Sequence, residues 1–457
     1  MSVGLLDAQD VRRFRDDALA AVRPAGDEVM TDAARVDLLS ELEKLKSAAC
    51  ALQAELTVDL DASVRSRDAR QGVAPERQGR GVAAQVAMAR QESPHRASML
   101  LGLAKDLATD LGCTHQALRE GRLNEFRAQV VARESGCLGR DDRAVIDEEV
   151  CGTDVIDGLG TGALAGEIRK RVQAADPSAV ARRNAKAEEA RRVNIRPTPD
   201  TMVYLTGLLP VAQGVKAFAC LTKEADRLVS DGDERTKGQI MADLLVERLT
   251  GQTHAQDVGV TVDIVISDEA LLGAGHEPAC VPDVPGCVIP AQIARELIAH
   301  ALRAETISFI RNLYADSTGR LVAMTSRQRF APDGLADFLA IRDQGICRTP
   351  WCDAPIRHID HIYPHAAGGQ TTDDNTQGLC QACNHAKQAD GWTQTTVHDD
   401  SGRHTVETTT PTGHHHRSRA PTPPTPARPP TPATRPATRP AVAYYRPAFD
   451  IHYVAAA

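Results

Sequence analysis

The residues that invite chemistry lie close together near one end of the chain. Cys347 and Cys352 are separated by four residues, and Cys380 and Cys383 by two. Each pair can turn back on itself and offer two thiolates to one ion. Two such pairs complete the tetrahedral sulfur set of a structural zinc site, with no open position left for catalysis. Pro350 helps to close the first knuckle. Between the pairs, Arg357, His358, Ile359, Asp360, His361 and Ile362 alternate as a short strand that ends at Pro364. Gly368, Gly369, Asp374 and Asn375 then form a polar loop, and residues 379–387 open a helix.

Hydrolysis of a phosphodiester needs a base for water, a cation for the developing oxyanion and a fixed in-line geometry. A neutral imidazole can take a proton near physiological pH, which makes His361 the candidate general base. The adjacent carboxylate, Asp360, suits a hard divalent cation. A second ligand must come from the facing helix, where the turn after Cys383 places Asn384, with His385 as the other option. An oxygen ligand there favours magnesium or manganese over softer ions. Arg342, Arg348, Arg357 and Lys387 are the nearest candidates for holding phosphates. His358 and His365 read as structural histidines, and Gly391 and Trp392 as packing.

The order of cysteine pair, Asp-His strand, glycine loop with asparagine, second cysteine pair, Asn-His and lysine resembles HNH endonucleases of the zinc-stapled, ββα-metal type. The resemblance covers about 65 residues. It implies the roles above for Asp360 and His361. It also implies that Asn384, where many relatives carry histidine, is the second metal ligand, and that Asn375 orients the loop and the base rather than attacking. The upstream layout of Ala- and Arg-rich helices is similar to the actinobacterial 13E12-repeat family, whose upstream part is a domain of unknown function numbered 222. Ser326-Arg327-Gln328-Arg329-Phe330 leading into Asp343 and Cys347, and the stretch from Gly378-Leu379-Cys380 to Gly391-Trp392, also fit that family. It implies a DNA-cutting HNH nuclease and supplies no activity for the N-terminal part. The alternative is a DNA-binding or regulatory protein with an inactive, zinc-stabilised module, against which the intact Asp360, His361, Asn375 and Asn384 argue. A scaffold merely stapled by zinc is the third reading.

Charge bounds these readings. The 457 residues carry a formal net charge of -8 with a pI near 6.0, so DNA affinity must come from local patches. Residues 326–394 contain six Lys and Arg against eight Asp, which leaves phosphate contacts few and salt-sensitive. Aromatics are only 3%, so the core must be mostly Leu, Val, Ile and Ala, which suits helix packing. No signal peptide or membrane-length apolar run stands out. Of the 11 cysteines, the seven outside the two pairs are scattered singly between Cys50 and Cys287. A cytoplasmic protein is the expectation.

The elements that must position the site read as mainly α with small β elements, an α+β chain. Residues 1–30 are expected to be a mobile start, 31–325 a helix-rich domain, 326–400 the zinc-stapled module, and 410–457 a disordered tail rich in Pro and Arg. Leu38, Leu42, Leu45, Ala49, Leu52 and Leu56 follow alternating steps of four and three. This is expected to be a core stripe within one subunit, with a homo-oligomer seam as the other option. Further helices are expected over 81–107, 114–135 with Thr114 as cap, 164–186 with a break at Pro177, 211–229, 236–249 and 289–302. Strands are expected over 193–195, 202–208 and 259–266, and a hairpin over 307–322 that turns at Asp316, Ser317 and Gly319. The basic run from Arg182 to Arg196 reads as a solvated helix, Gly158, Gly160 and Gly162 as a loop, and His414, His415 and His416 as linker. Tyr444, Tyr445 and Tyr453 could anchor a short contact segment.

Overall fold

Alanine, leucine and arginine are the commonest residues in the first half of the chain, and their helix propensity fills it with helices joined by short breaks. In the computed structural model these are α1 (Ala8–Ala21), α2 (Asp32–Arg70), α3 (Val82–Arg90), α4 (Pro94–Thr109), α5 (Gly112–Arg119), α6 (Glu125–Ser135), α7 (Arg140–Cys151), α8 (Thr161–Ala175) and α9 (Pro177–Glu189). The structure describes residues 7–21, 30–254, 264–271, 275–281, 284–303, 308–314, 325–326, 333–422 and 441–447. The chain divides into two compact units, one of residues 1–58 and 103–177, the other of 59–102 and 178–457. Among the described residues no helix is long and apolar enough to cross a membrane.

In the first unit the breaks fall where the backbone needs them. The single helix expected over 114–135 is two, because Gly121 takes φ +74° and Asn124 starts α6 by accepting from the Arg127 amide at 2.9 Å. Thr114 is not a cap. It lies inside α5, and its hydroxyl bonds the buried Asp147, which also takes the Cys113 amide at 2.7 Å and thereby covers the helix start. The core gathers Leu111, Leu118, Val130, Ile146, Leu164 and Ile168.

Helix α2 faces the opposite way from the expectation. Ser47, Ala51 and Thr57 are buried, while Leu38, Leu42, Leu45, Leu52 and Leu56 are exposed. The leucine stripe is therefore no part of this chain's own core.

The second unit begins its sheets with an antiparallel ribbon of β1 (Arg192–Thr198) and β2 (Met202–Leu208), turning through Asp200 and Thr201 at positive φ. Helices α10 (Val211–Ser230) and α11 (Lys237–Thr250) follow. The latter starts with a capping box in which the Thr236 hydroxyl accepts from the Gln239 amide at 3.3 Å. Next come β3 (Ile264–Ser267), α12 (Asp268–Leu271), β4 (Ala279–Val281), β5 (Cys287–Ile289), α13 (Ala291–Arg303), β6 (Ser308–Tyr314), β7 (Thr325–Ser326) and α14 (Asp333–Arg342). Strand alternation divides the faces of this sheet. Ile264 and Ile266 pack with Ala294 and Ile298 of α13, whereas Val265 and Cys280 pack with Leu335, Phe338 and Leu339 of α14. Helix α14 thus rests on a sheet on one side and touches Ile359 on the other.

The remaining elements are β8 (His358–His361), β9 (Thr371–Thr372), β10 (Thr376–Leu379), α15 (Gln381–Lys387), β11 (Thr393–Val397), β12 (Thr405–Thr409), β13 (His415–Arg419) and β14 (Ala441–Pro447). Two expectations for the tail fail here. Strands β11, β12 and β13 form an antiparallel meander, so His415 and His416 belong to a strand and folded structure runs past 410. Strand β14 inserts between β3 and β6 in the sheet order β5-β4-β3-β14-β6, taking the place expected for the return strand of a hairpin. The turn of the expected hairpin, residues 259–263 of the expected strand, the run 327–330, Tyr453, and tail residues 423–440 and 448–457 lie outside the described residues.

Gly81 ties the start of α3 to the loop after α15. It adopts φ +86°, and a Cβ there would lie 2.7 Å from Trp392 Nε1 and 3.3 Å from Ala389 Cβ. Gly81→Ala is expected to cost about 1–3 kcal/mol, from a left-handed backbone and a clash together. Chemical denaturation compared with the native protein checks this.

Candidate active site

Two knuckles bring the four cysteines together. In the first, Ile346 bridges Pro355, the Cys347 amide donates to the Ala354 carbonyl at 2.9 Å, and Trp351 turns the chain at φ +59°. In the second, Cys380 stands at the start of α15, where its Sγ accepts from the Cys383 amide at 3.4 Å. All four thiols are buried with their sulfurs within 4.8 Å of one another. Metal–sulfur bonds of about 2.3 Å require tetrahedral sulfur–sulfur edges of about 3.8 Å. Cys352 and Cys380 Sγ lie 3.8 Å apart. The donor set and its spacing fit a structural metal such as zinc. Hydrogen bonds from Cys347, Cys352 and Cys383 lower the pKa of the Cys380 thiol.

The knuckle is fastened by a carboxylate that reaches no solvent. Asp343, at 0% exposure, pairs with Arg342 at 2.9 Å and Arg348 at 3.5 Å and accepts the Gly378 amide of β10 at 3.0 Å. Burial would raise its carboxyl, but the two guanidinia and the amide outweigh that and hold it below the ordinary carboxylate range. This corrects two expected phosphate contacts. Arg342 spends its guanidinium on Asp343 and on the carbonyls of Asp373 and Thr376, at 2.6 and 2.9 Å. Arg348, at 4% exposure, reaches the carbonyls of His404 and Ser418, and burial lowers its pKa to about 10. Both cations are structural. Arg357 is exposed.

Strand β8 pairs antiparallel with β10, setting His361 opposite Thr376 and Asp360 opposite Gln377, and α15 packs against β8. The result is a ββα unit in which strand and helix face each other. His361 Nε2 lies 2.8 Å from the Thr371 hydroxyl, which fixes the ring, and the exposed His365 meets it edge-on at 5.4 Å. Asn375 binds the loop to itself: its Oδ1 accepts from the Tyr363 amide at 2.8 Å, and its Nδ2 donates to the carbonyls of Gln370 and Tyr363 at 2.8 and 3.1 Å. Gly369 is required there, because a Cβ would lie 2.1 Å from the Tyr363 carbonyl oxygen. Asn384 projects from α15 with a buried Oδ1 that has no hydrogen-bond partner, whereas His385 and His358 are exposed. Lys387 is not displayed for phosphate. Its ammonium pairs with Asp360 Oδ2 at 2.5 Å and donates to the His361 carbonyl, and burial pulls its pKa down despite that carboxylate.

The family described as a domain of unknown function (DUF222) matches residues 36–343, about two thirds of the chain. The chain belongs to the DUF222 family. An HNH endonuclease domain matches residues 345–396. No curated protein and no solved structure matches the chain. The DUF222 match ends at Asp343, the carboxylate that anchors the nuclease module. An HNH domain makes nucleic acid the partner that its chemistry serves.

Neither Thr371 nor the buried His404 was singled out from the sequence of this DUF222 protein. His404 Nε2 lies 3.0 Å from the Asp374 carbonyl oxygen, and burial lowers its pKa to about 3. A lone threonine or histidine in a polar run carries no local signal of burial.

Two measurements test the scaffold. Elemental analysis should find one zinc per native chain, lost on Cys380→Ser together with cooperative melting of the module. Asp343→Ala should cost about 3–5 kcal/mol in denaturation, because two buried guanidinia lose their counter-charge. Since the folded pKa of Asp343 is depressed, its contribution is present above the unfolded value near ~3.9 and is lost as pH falls through the folded one. The share of the acid limb that Asp343 contributes to the native stability curve should therefore be absent in Asp343→Asn.

Proposed function

We propose that the module at residues 345–396 is a metal-dependent DNA endonuclease, with His361 as general base and Asp360 and Asn384 holding a divalent cation, magnesium or manganese. The observation that carries this reading is the buried Asn384 Oδ1 with no hydrogen-bond partner. A buried acceptor left unpaired is costly and calls for an occupant. Its place on the helix that packs against the strand of Asp360 fits an oxygen-lined cation site. When bound, the cation would stabilise the charge that develops on the phosphate.

The chain's own residues do the rest. With its ring held at the Thr371 hydroxyl, the neutral imidazole of His361 takes a proton from water. Asn375 holds the loop from Tyr363 to Gln370 shut and so keeps the strand bearing His361 in register. Lys387 grips the Asp360 carboxylate and the His361 backbone carbonyl and so holds the strand end. Arg357, the exposed member of the four candidate cations, is left for the phosphate backbone.

One observation favours the second reading, a DNA-binding module that no longer cuts. The Lys387 ammonium already neutralises Asp360, where the cation would sit. Plasmid cleavage with added magnesium or manganese separates the two. Native protein should nick or linearise the plasmid only with metal. His361→Ala should lose at least about 10²-fold, the usual scale for a general base. Asn384→Ala should need a higher metal concentration for the same rate. Metal-independent DNA binding without cleavage in any variant would replace this reading by the second.

A further inference from the structure

Helix α2 carries an apolar seam that its own unit does not use. Leu38, Leu42, Leu45, Leu52 and Leu56 are each at least 37% exposed, and Ala49 between them is exposed as well. The opposite face, with Ser47, Ala51 and Thr57, is the buried one. A helix that turns small and polar residues inward and leucines outward is built for a second contact.

We propose that two copies of this chain pair in parallel through this seam of α2, forming a short coiled coil. The alternating steps of four and three place Leu42, Ala49 and Leu56 at one core position of a heptad and Leu38, Leu45 and Leu52 at the other. In that frame Glu41 and Lys46 flank the seam on opposite sides, five residues apart. A parallel pairing in register sets Glu41 of each copy beside Lys46 of the other. An antiparallel pairing of the same seam would set the two Lys46 side chains against each other. Glu41 and Lys46 now make exposed pairs within their own helix, with Lys44 and Glu43, each at 2.7 Å. Exposed pairs of that kind are weak and yield readily to a better partner.

The seam is short, fewer than three heptads, and an isolated peptide of that length would be a marginal helix. Here the inward face of α2 already holds the helix, so pairing does not have to meet the cost of forming it. The other large exposed apolar area, on the β1–β2 ribbon and α10 with Ile195, Tyr204, Val215 and Phe218, has no register or charge pattern that names an occupant. A dimer would carry two nuclease modules, one for each strand of a duplex. That consequence rests on the nuclease reading, whereas the pairing itself does not.

Sedimentation velocity of the full-length protein over a micromolar range tests the pairing without reference to cleavage. The native chain should sediment as a dimer. Leu42→Glu, at a position already 42% exposed, should keep its circular dichroism and sediment as a monomer. Val36→Glu, at an exposed position of the same helix off the seam, should remain a dimer. Glu41→Lys or Lys46→Glu alone should weaken the dimer several-fold, and the two together should restore it. A native monomer overturns the proposal. So does a dimer that survives Leu42→Glu, which would move the contact elsewhere, the β1–β2 ribbon included. Strengthening by a single charge reversal overturns the parallel arrangement.

Discussion

A single buried carboxylate organises the nuclease module. Asp343 takes two guanidinia and the amide of a strand into an interior with no water, and each of those partners leads to a different element. Arg342 continues to the carbonyls of Asp373 and Thr376, Arg348 to those of His404, just before β12, and Ser418 of β13, and Gly378 to the central hairpin. Charges so buried are tolerable only when every partner is present, so the arrangement is cooperative. It also sets the limits of the module: the meander through β13, reached by Arg348, folds as part of it.

The thiol set and the carboxylate divide the work. The two knuckles fix the approach of the first cysteine pair to the start of α15, while Asp343 fixes the hairpin on which His361 and Asp360 stand. Between them they leave strand and helix face to face, with Thr371 and Asn375 trimming the side-chain and loop geometry. The consequence for nucleic acid is electrostatic economy. Of the six cations in residues 326–394, Arg342 and Arg348 are used inside the fold and Lys387 is bound to Asp360. An HNH module with so few free positive charges holds its substrate weakly unless other parts of the chain assist.

Helix α2 illustrates a limit of periodicity. A heptad of leucines states that one face of a helix will be covered but not by what. The inward face of α2 is made of Ser47, Ala51 and Thr57, a pattern with little apolar signal. The tail makes the same point in a strand. Its composition reads as extended and mobile, yet Ala441–Pro447 pairs along both edges with β3 and β6.

The sequence by itself determined which chemistry-bearing residues lie at close spacing in the candidate site. Two cysteine pairs, an Asp-His strand and an asparagine after the last cysteine lie within a few dozen residues, so local chain geometry alone brings them near one another. The break between α8 and α9 at Pro177 and the turn of the β1–β2 ribbon at Asp200 were legible for the same reason, since proline and turn residues act on their own backbone. Tertiary structure alone decided which cations face solvent. Arg342, Arg348 and Arg357 are indistinguishable in sequence, but only Arg357 is exposed, because a carboxylate and carbonyls from elements up to 70 residues away capture the other two. It also decided the outward leucines of α2 and the folded stretch past residue 410. Burial is a property of what packs against a residue, and distant partners leave no mark on its immediate neighbours.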